Sequence, residues 1–259
     1  LYSSQFCIFL FFCCLCCSLV CLLSSLLLFF LMIRRPPRST LDRSSAASDV
    51  YKRQDEGVVL YEGQSFHEMD TDAQREIRQR IGMLFQGSAL FDSLTVMQNV
   101  MFPLQMFANM SKSEMEDRAH FCLKRVNILD KDRLYPSELS GGMQKRVGIA
   151  RAIAMTPEYL FVDEPNSGLD PETSILIDDL IKELTVEFNT TTIVITHDMN
   201  SVMETGENIM FIHKGQNWWQ GTRDELMNSD NAELNEFIFA GGLMRIVKKV
   251  MTKDPHALD

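Results

Sequence analysis

Residues 155–205 hold the pattern that most restricts the fold. "YLFVDE" (159–164) is an apolar run ending in two acids, and "TTIVITH" (191–197) is a second apolar run. Between them Asp170-Pro171 places an N-cap and an N1 proline, which opens a helix predicted over 171–188. Short apolar strands that alternate with helices form a parallel sheet covered on both faces.

The flanking segments carry further local signals. "GVVLYEGQSF" (57–66) alternates and turns at Glu62-Gly63, which predicts a short hairpin. "TDAQREIRQR" (71–80) reads as a helix and "IGMLF" (81–85) as a buried strand. Ser111 with Glu114 is a capping box that opens a helix to about Asn127. A helix follows Gly142, with Val147, Ala150, Ile153 and Ala154 on one face. "NIMFIHKG" and "NWWQG" predict a hairpin over 208–221, and Thr222 with Glu225 is a second capping box. There is no internal repeat.

Charge and cysteine are unevenly spread. Residues 1–33 carry no charge, and 34–54 carry six basic and two acidic side chains. Of the 25 basic and 35 acidic residues in the chain, 19 and 33 therefore remain in 55–259, a net of −14. A body this acidic argues against general affinity for nucleic-acid phosphates. Six of the seven cysteines lie in the first 31 residues, so the body holds only Cys122, which fits a reducing compartment.

Four segments carry chemistry, in this order: "LFQGSALFDSLTVMQNVMFPL", with Gln86 straight after a strand; "LSGGMQKR" (139–146); "YLFVDEPNSGLDP" (159–171); and "IVITHD" (193–198). Ser140, Gly141 and Gly142 open a helix, whose N-terminus favours an anion and whose glycines let backbone N–H groups approach it. Asp163 and Glu164 end a strand, and open parallel sheets place ligands at strand ends. An aspartate there suits Mg²⁺ held through water.

Together these segments resemble the ATP-binding cassette (ABC) ATPases, the motor subunits of ABC transporters. The resemblance covers essentially all of 55–245. It implies an α/β, P-loop NTPase-like core with a helical subdomain inserted at about 92–147. It further implies that Glu164 polarises the attacking water, that His197 contacts the γ-phosphate, and that Asp163 and Gln86 serve Mg²⁺. Ser140, Gly141, Gly142 and Gln144 would contact the nucleotide held by a second copy, and Asp170 would couple the two sites. Transmembrane permease subunits would dock near Gln86–Phe107, which places the protein peripherally on the cytoplasmic face of the bacterial inner membrane. Asn166 departs from the family pattern, in which Thr or Ser is commoner.

A larger departure is the phosphate loop, G-x-x-x-x-G-K-[ST], since no Gly-Lys pair occurs in the chain. The family places that loop before the 57–66 hairpin, together with early strands of the sheet. Residues 6–33 are apolar and long enough to span a bilayer. However, 27 of the first 31 residues are Leu, Phe, Cys or Ser, a low-complexity run. "MIRRPPRST" and "SSAASDVYKRQ" resemble translated sequencing-adapter DNA. Residues 1–54 are therefore expected to be a non-native leader, disordered or an isolated helix, fused to an N-terminally truncated ATPase. Residues 246–259 are expected to be a mobile tail. The chain as written is expected to bind ATP poorly.

"GSALFDSLTV" and "FPL" resemble the ATPases of bacterial lipid-asymmetry systems, which move phospholipids with Mce-type partners. Two other readings stay open: a non-transport ABC ATPase, and a membrane-anchored, non-hydrolysing interaction protein.

Overall fold

The computed structural model describes the strand Cys7–Phe12, residues 59–213 and residues 216–238. Six strands form one sheet in the order β4 (Ile81–Leu84), β5 (Tyr159–Asp163), β6 (Thr191–Thr196), β1 (Cys7–Phe12), β7 (Asn208–His213) and β8 (Gln216–Gly221). β4 through β7 pair in parallel, and β8 closes the far edge antiparallel to β7. β2 (Leu60–Tyr61) and β3 (Gln64–Ser65) form the expected separate hairpin. Its turn puts Glu62 at φ 52° and Gly63 at φ 80°, the two left-handed residues of a tight hairpin turn.

β1 corrects one expectation. Its six residues come from the stretch anticipated as a disordered leader or isolated helix, yet they take the central place in the sheet. Phe9 pairs with both Val194 and Ile209. A central parallel strand fills the backbone bonding sites of both neighbours, and an apolar run suits that place. The rest of 1–58 and the tail 246–259 lie outside the described residues.

Eight α-helices are described, and local capping explains most of their starts. Asp70 caps α1 (Thr71–Gln79), with its carboxylate accepting from the Ala73 N–H at 2.8 Å. A capping box formed by Thr95 and Gln98 opens α2 (Val96–Phe107), and the one formed by Ser111 and Glu114 opens α3 (Lys112–Arg125). Ser140 caps α4 (Gly141–Ile153). Asp170 caps α5 (Pro171–Phe188) with proline at its first position, over the range read from the sequence. α6 (Met199–Thr205), α7 (Arg223–Met227) and α8 (Ala232–Ile238) follow.

α2, α3 and the first part of α4 cover the stretch expected to be an inserted helical subdomain. It is not a separate body, because α4 packs on both of its helices and on β4. One apolar cluster runs from Val100 and Cys122 through Val147, Ala150 and Ile153 to Leu160 and Ile177. Arg118 of α3 donates to the carbonyls of Ile153 and Ala154, each at 3.0 Å, and so satisfies the end of α4.

The two sheet faces are not equally covered. Leu160 and Val162 are buried, whereas their alternates Tyr159 and Phe161 are only half-buried. On that second face Ile195 and Ile212, with Ile193 and Met210, form a small cluster of their own.

Candidate functional site

The parallel strands bring their carboxyl ends to one edge of the sheet. Gln86 follows β4, Asp163 and Glu164 end β5, and His197 follows β6. The structure joins two of these side chains directly: His197 Nδ1 lies 2.7 Å from Glu164 Oε1. The two differ in exposure, at 64% for the His197 side chain and 15% for that of Glu164. The imidazole therefore faces solvent while the carboxylate behind it is shielded. Glu164 sits at φ 45°, a left-handed backbone that costs a non-glycine residue about 1–2 kcal/mol. Its N–H is bonded to the Ile195 carbonyl at 2.9 Å, so the neighbouring strand holds that conformation.

Gln86 is exposed and its side-chain amide donates to Ser167 Oγ at 3.4 Å, across to the turn after Glu164. Burial raises the pKa of Asp163, and the neighbouring Glu164 adds to the rise, while Lys145 opposes it. Among the described residues no group of three or more His, Cys, Asp or Glu is arranged to hold a metal ion. The donors present, one half-buried carboxylate and the Gln86 amide, still fit Mg²⁺ that arrives with phosphate oxygens. That ion takes one or two protein carboxylates and completes its shell with substrate and water.

The signature residues lie elsewhere. Ser140 Oγ accepts from the Met143 N–H at 3.3 Å and so is spent on capping α4. A Cβ on Gly142 would meet Thr173 Cγ2 at 2.8 Å, and one on Gly141 would meet Leu169 Cδ2 at 3.6 Å. The signature thus packs on the turn around Asp170, not on the Glu164–His197 pair. Asp170 is exposed and accepts from the N–H and hydroxyl of Thr173 at 2.9 and 2.7 Å, which lowers its pKa. The Gln144 amide donates to the carbonyls of Pro136 and Leu139 at 2.9 and 3.3 Å, so it braces the turn before the signature.

Three supporting features escape the sequence. Lys145 is buried at 5% exposure and donates to the carbonyls of Gln86 and Glu164. Arg151 donates to the carbonyls of Ser88 and Ala89 at 2.7 and 2.8 Å, and burial pushes its pKa down to about 10. Asn99, fully buried, accepts from the Phe91 N–H at 2.8 Å and donates to the carbonyls of Phe91, Leu94 and Thr95. The "QKR" of the signature helix holds Lys145 alone of the three, and it does not say which carbonyls that lysine reaches.

A parallel sheet with acids and a histidine at its carboxyl edge, a loop glutamine and a glycine-capped signature helix define the ATP-hydrolase cassette fold. The ABC transporter family model matches residues 44–167, starting inside the stretch expected to be non-native. Methionine import ATP-binding protein MetN 2 of Bacillus cereus is 40% identical over 168 residues, 65% of this chain and 49% of its own length. MetN of Myxococcus xanthus is 36% identical over 202 residues, 78% of this chain and 60% of its own. The dimeric, post-hydrolysis structure of the ATP-binding cassette MJ0796, bound to ADP and Pi, superposes with TM-score 0.64 at 29% identity. It covers 85% of each chain. The chain spans about half the length of the first of these curated relatives. It has the α/β, P-loop NTPase-like fold of these cassettes, and residues 44–167 are similar to the ATPase domain of ABC transporters. The relatives named here are methionine importers, so they lend no support to the expected lipid-asymmetry assignment.

Proposed function

We propose that this chain belongs to the ATP-hydrolysing motor subunit of an ABC transporter, and that the 259 residues alone, without a phosphate-loop motif, hydrolyse ATP poorly. The observation that carries this reading is the 2.7 Å contact between Glu164 and His197 at the carboxyl edge of the sheet. Glu164 would accept a proton from an attacking water, and the exposed imidazole would meet the phosphoryl group. Asp163 and Gln86 would hold Mg²⁺ together with the phosphates. When bound, that ion spreads the charge of the β- and γ-phosphoryl oxygens. Ser140, Gly141 and Gly142 would complete the nucleotide site of a second copy, with Asp170 beside them linking the two sites. Gln144 supports that signature from within the chain. The exposed loop after Gln86, with α2, is the surface offered to permease subunits at the cytoplasmic face of the membrane. Among the described residues no helix is long and apolar enough to cross a membrane.

The names of the relatives support import of methionine, or of a similar small solute, as the cargo. The stretch Gly87–Leu104 supports phospholipid movement as a second reading. Mass spectrometry of the permease that copurifies in detergent decides between them.

Light scattering on the protein expressed from its own gene tests the motor reading. The E164Q variant is expected to form a dimer when Mg·ATP is added, because binding proceeds and hydrolysis stops. A monomer at saturating Mg·ATP overturns the reading.

A further inference from the structure

Lys145 lies one turn into α4, below the signature, and the chemistry above gives it no task. An ammonium buried to 5% exposure costs several kcal/mol unless its hydrogens find acceptors. Lys145 Nζ finds two, and both are main-chain carbonyls. One belongs to Gln86, in the loop after β4, and the other to Glu164, at 3.0 Å, in the loop after β5. The carboxylates of Asp163 and Glu164 favour its charge and offset part of the burial.

The Gln86 loop is rigid on its α4 side. Ser88 and Ala89 adopt φ 59° and 44°, left-handed for two non-glycine residues in succession. Arg151, on the same helix, holds both of their carbonyls. Gly148 lies beneath, where a Cβ would stand 3.3 Å from Ser88 Cβ and 2.7 Å from Leu84 Cδ1. Two cations of α4 therefore pin this loop, and Lys145 reaches the Glu164 loop as well.

We propose that Lys145 is a positioning residue that ties the place of Glu164 to the place of Gln86, so that a displacement of the permease-facing loop reaches the catalytic carboxylate through one ammonium group. This rests on the roles of Gln86 and Glu164 proposed above. A lysine that merely filled the core would, on removal, loosen α4 and the strands beside it evenly.

Hydrogen exchange of the 259-residue chain, read by mass spectrometry, separates the two. Two amides report: Ser88 N–H, bonded to the Phe85 carbonyl at 2.8 Å, and Ser167 N–H, bonded to the Glu164 carbonyl at 3.3 Å. In K145M both are expected to exchange about tenfold faster or more, as befits loss of charge-assisted bonds, while amides within α5 and β6 hold their rates. K145R, which keeps the charge and the donors, is expected to restore protection at both sites together. Faster exchange at one amide alone, or an even rise through α4, β5 and β6, overturns the proposal. If K145M does not fold, K145Q, which loses the charge but keeps a polar head, decides: faster exchange at one of the two amides alone, or at neither, overturns the coupling, and a parallel rise at both supports it. The measurement needs no nucleotide. A chain that fails to hydrolyse ATP yet loosens at both amides in K145M would remove the motor reading and leave the coupling standing.

Discussion

Asn166 donates its side-chain amide to both carboxylate oxygens of Asp178, each at 2.9 Å, and Ser201 donates to the same carboxylate at 2.6 Å. The cluster pins the turn after Glu164 to the middle of α5 and to α6, the helix behind His197. The residue that departs from the family pattern is thus the donor that joins the two halves of the candidate catalytic pair from below.

Asp178 is 6% exposed, and its pKa is raised, chiefly by burial, with Asp198 and Glu204 adding to the rise and its two donors opposing it. A carboxyl whose folded pKa lies above its unfolded value contributes stability at low pH and loses it as pH rises through the folded value. D178N, which cannot ionise, is therefore expected to gain on the wild type as pH rises from about 4, the pKa of an unfolded aspartate, toward neutrality. Urea midpoints across that range read the trend. A D178N variant that falls further behind as pH rises would contradict it.

At neutral pH the carboxylate relies on its donors. S201A is expected to cost about 1–3 kcal/mol of unfolding free energy, because it removes a donor from a buried charge. A loss under 0.5 kcal/mol in the same urea titrations would argue against a charged Asp178 (~0.5 being the usual scatter of surface substitutions).

Gly82, in β4, has no room for a side chain. A Cβ there would lie 2.4 Å from the Ala152 carbonyl oxygen and 2.9 Å from Pro157 Cγ. Backbone at the end of α4 cannot swing aside, so G82A is expected to destabilise the fold by about 1–3 kcal/mol. Gly87 meets nothing within 4 Å, and G87A serves as the control, with a change under about 0.5 kcal/mol. Thermal melts of the two variants side by side make the comparison.

Cys122 is fully buried in α3, and burial pushes its thiol up to about 11. It is therefore protonated at neutral pH and slow to alkylate. Peptide mapping after iodoacetamide is expected to find Cys122 unmodified in the native chain and labelled in denaturant. Equal labelling in both conditions would show that the packing around α3 opens readily.

Much of the site was legible in the sequence because its residues stand at element ends, where spacing and caps are local. Asp170-Pro171 announced α5, and the runs at 159–164 and 191–197 announced β5 and β6 with Asp163, Glu164 and His197 at their ends. What stayed hidden was long-range. Lys145, Arg151 and Asn99 act on main-chain carbonyls, which carry no sequence signal at a distance. The Asn166–Asp178–Ser201 cluster joins three elements through single polar side chains, and nothing local in the sequence pairs them. β1 was misjudged because low complexity says nothing about backbone pairing, and an apolar run satisfies a vacant central position in a parallel sheet.

The phosphate-loop motif gives one prediction about the chain itself. Without a Gly-Lys pair it lacks the usual backbone cradle and lysine for β- and γ-phosphates. Calorimetric titration of the 259-residue chain with Mg·ATP is expected to show weak binding. Tight, Mg²⁺-dependent binding would mean that another part of the chain supplies the cradle.

If the Glu164–His197 pair performs phosphoryl chemistry, turnover needs both side chains. Steady-state release of phosphate from Mg·ATP, measured for the protein expressed from its own gene beside its E164Q and H197A variants, tests this most directly. Turnover by the wild type is expected, with a fall of about 100-fold or more in kcat for each variant while ATP still binds. Turnover at the wild-type rate in E164Q would contradict it.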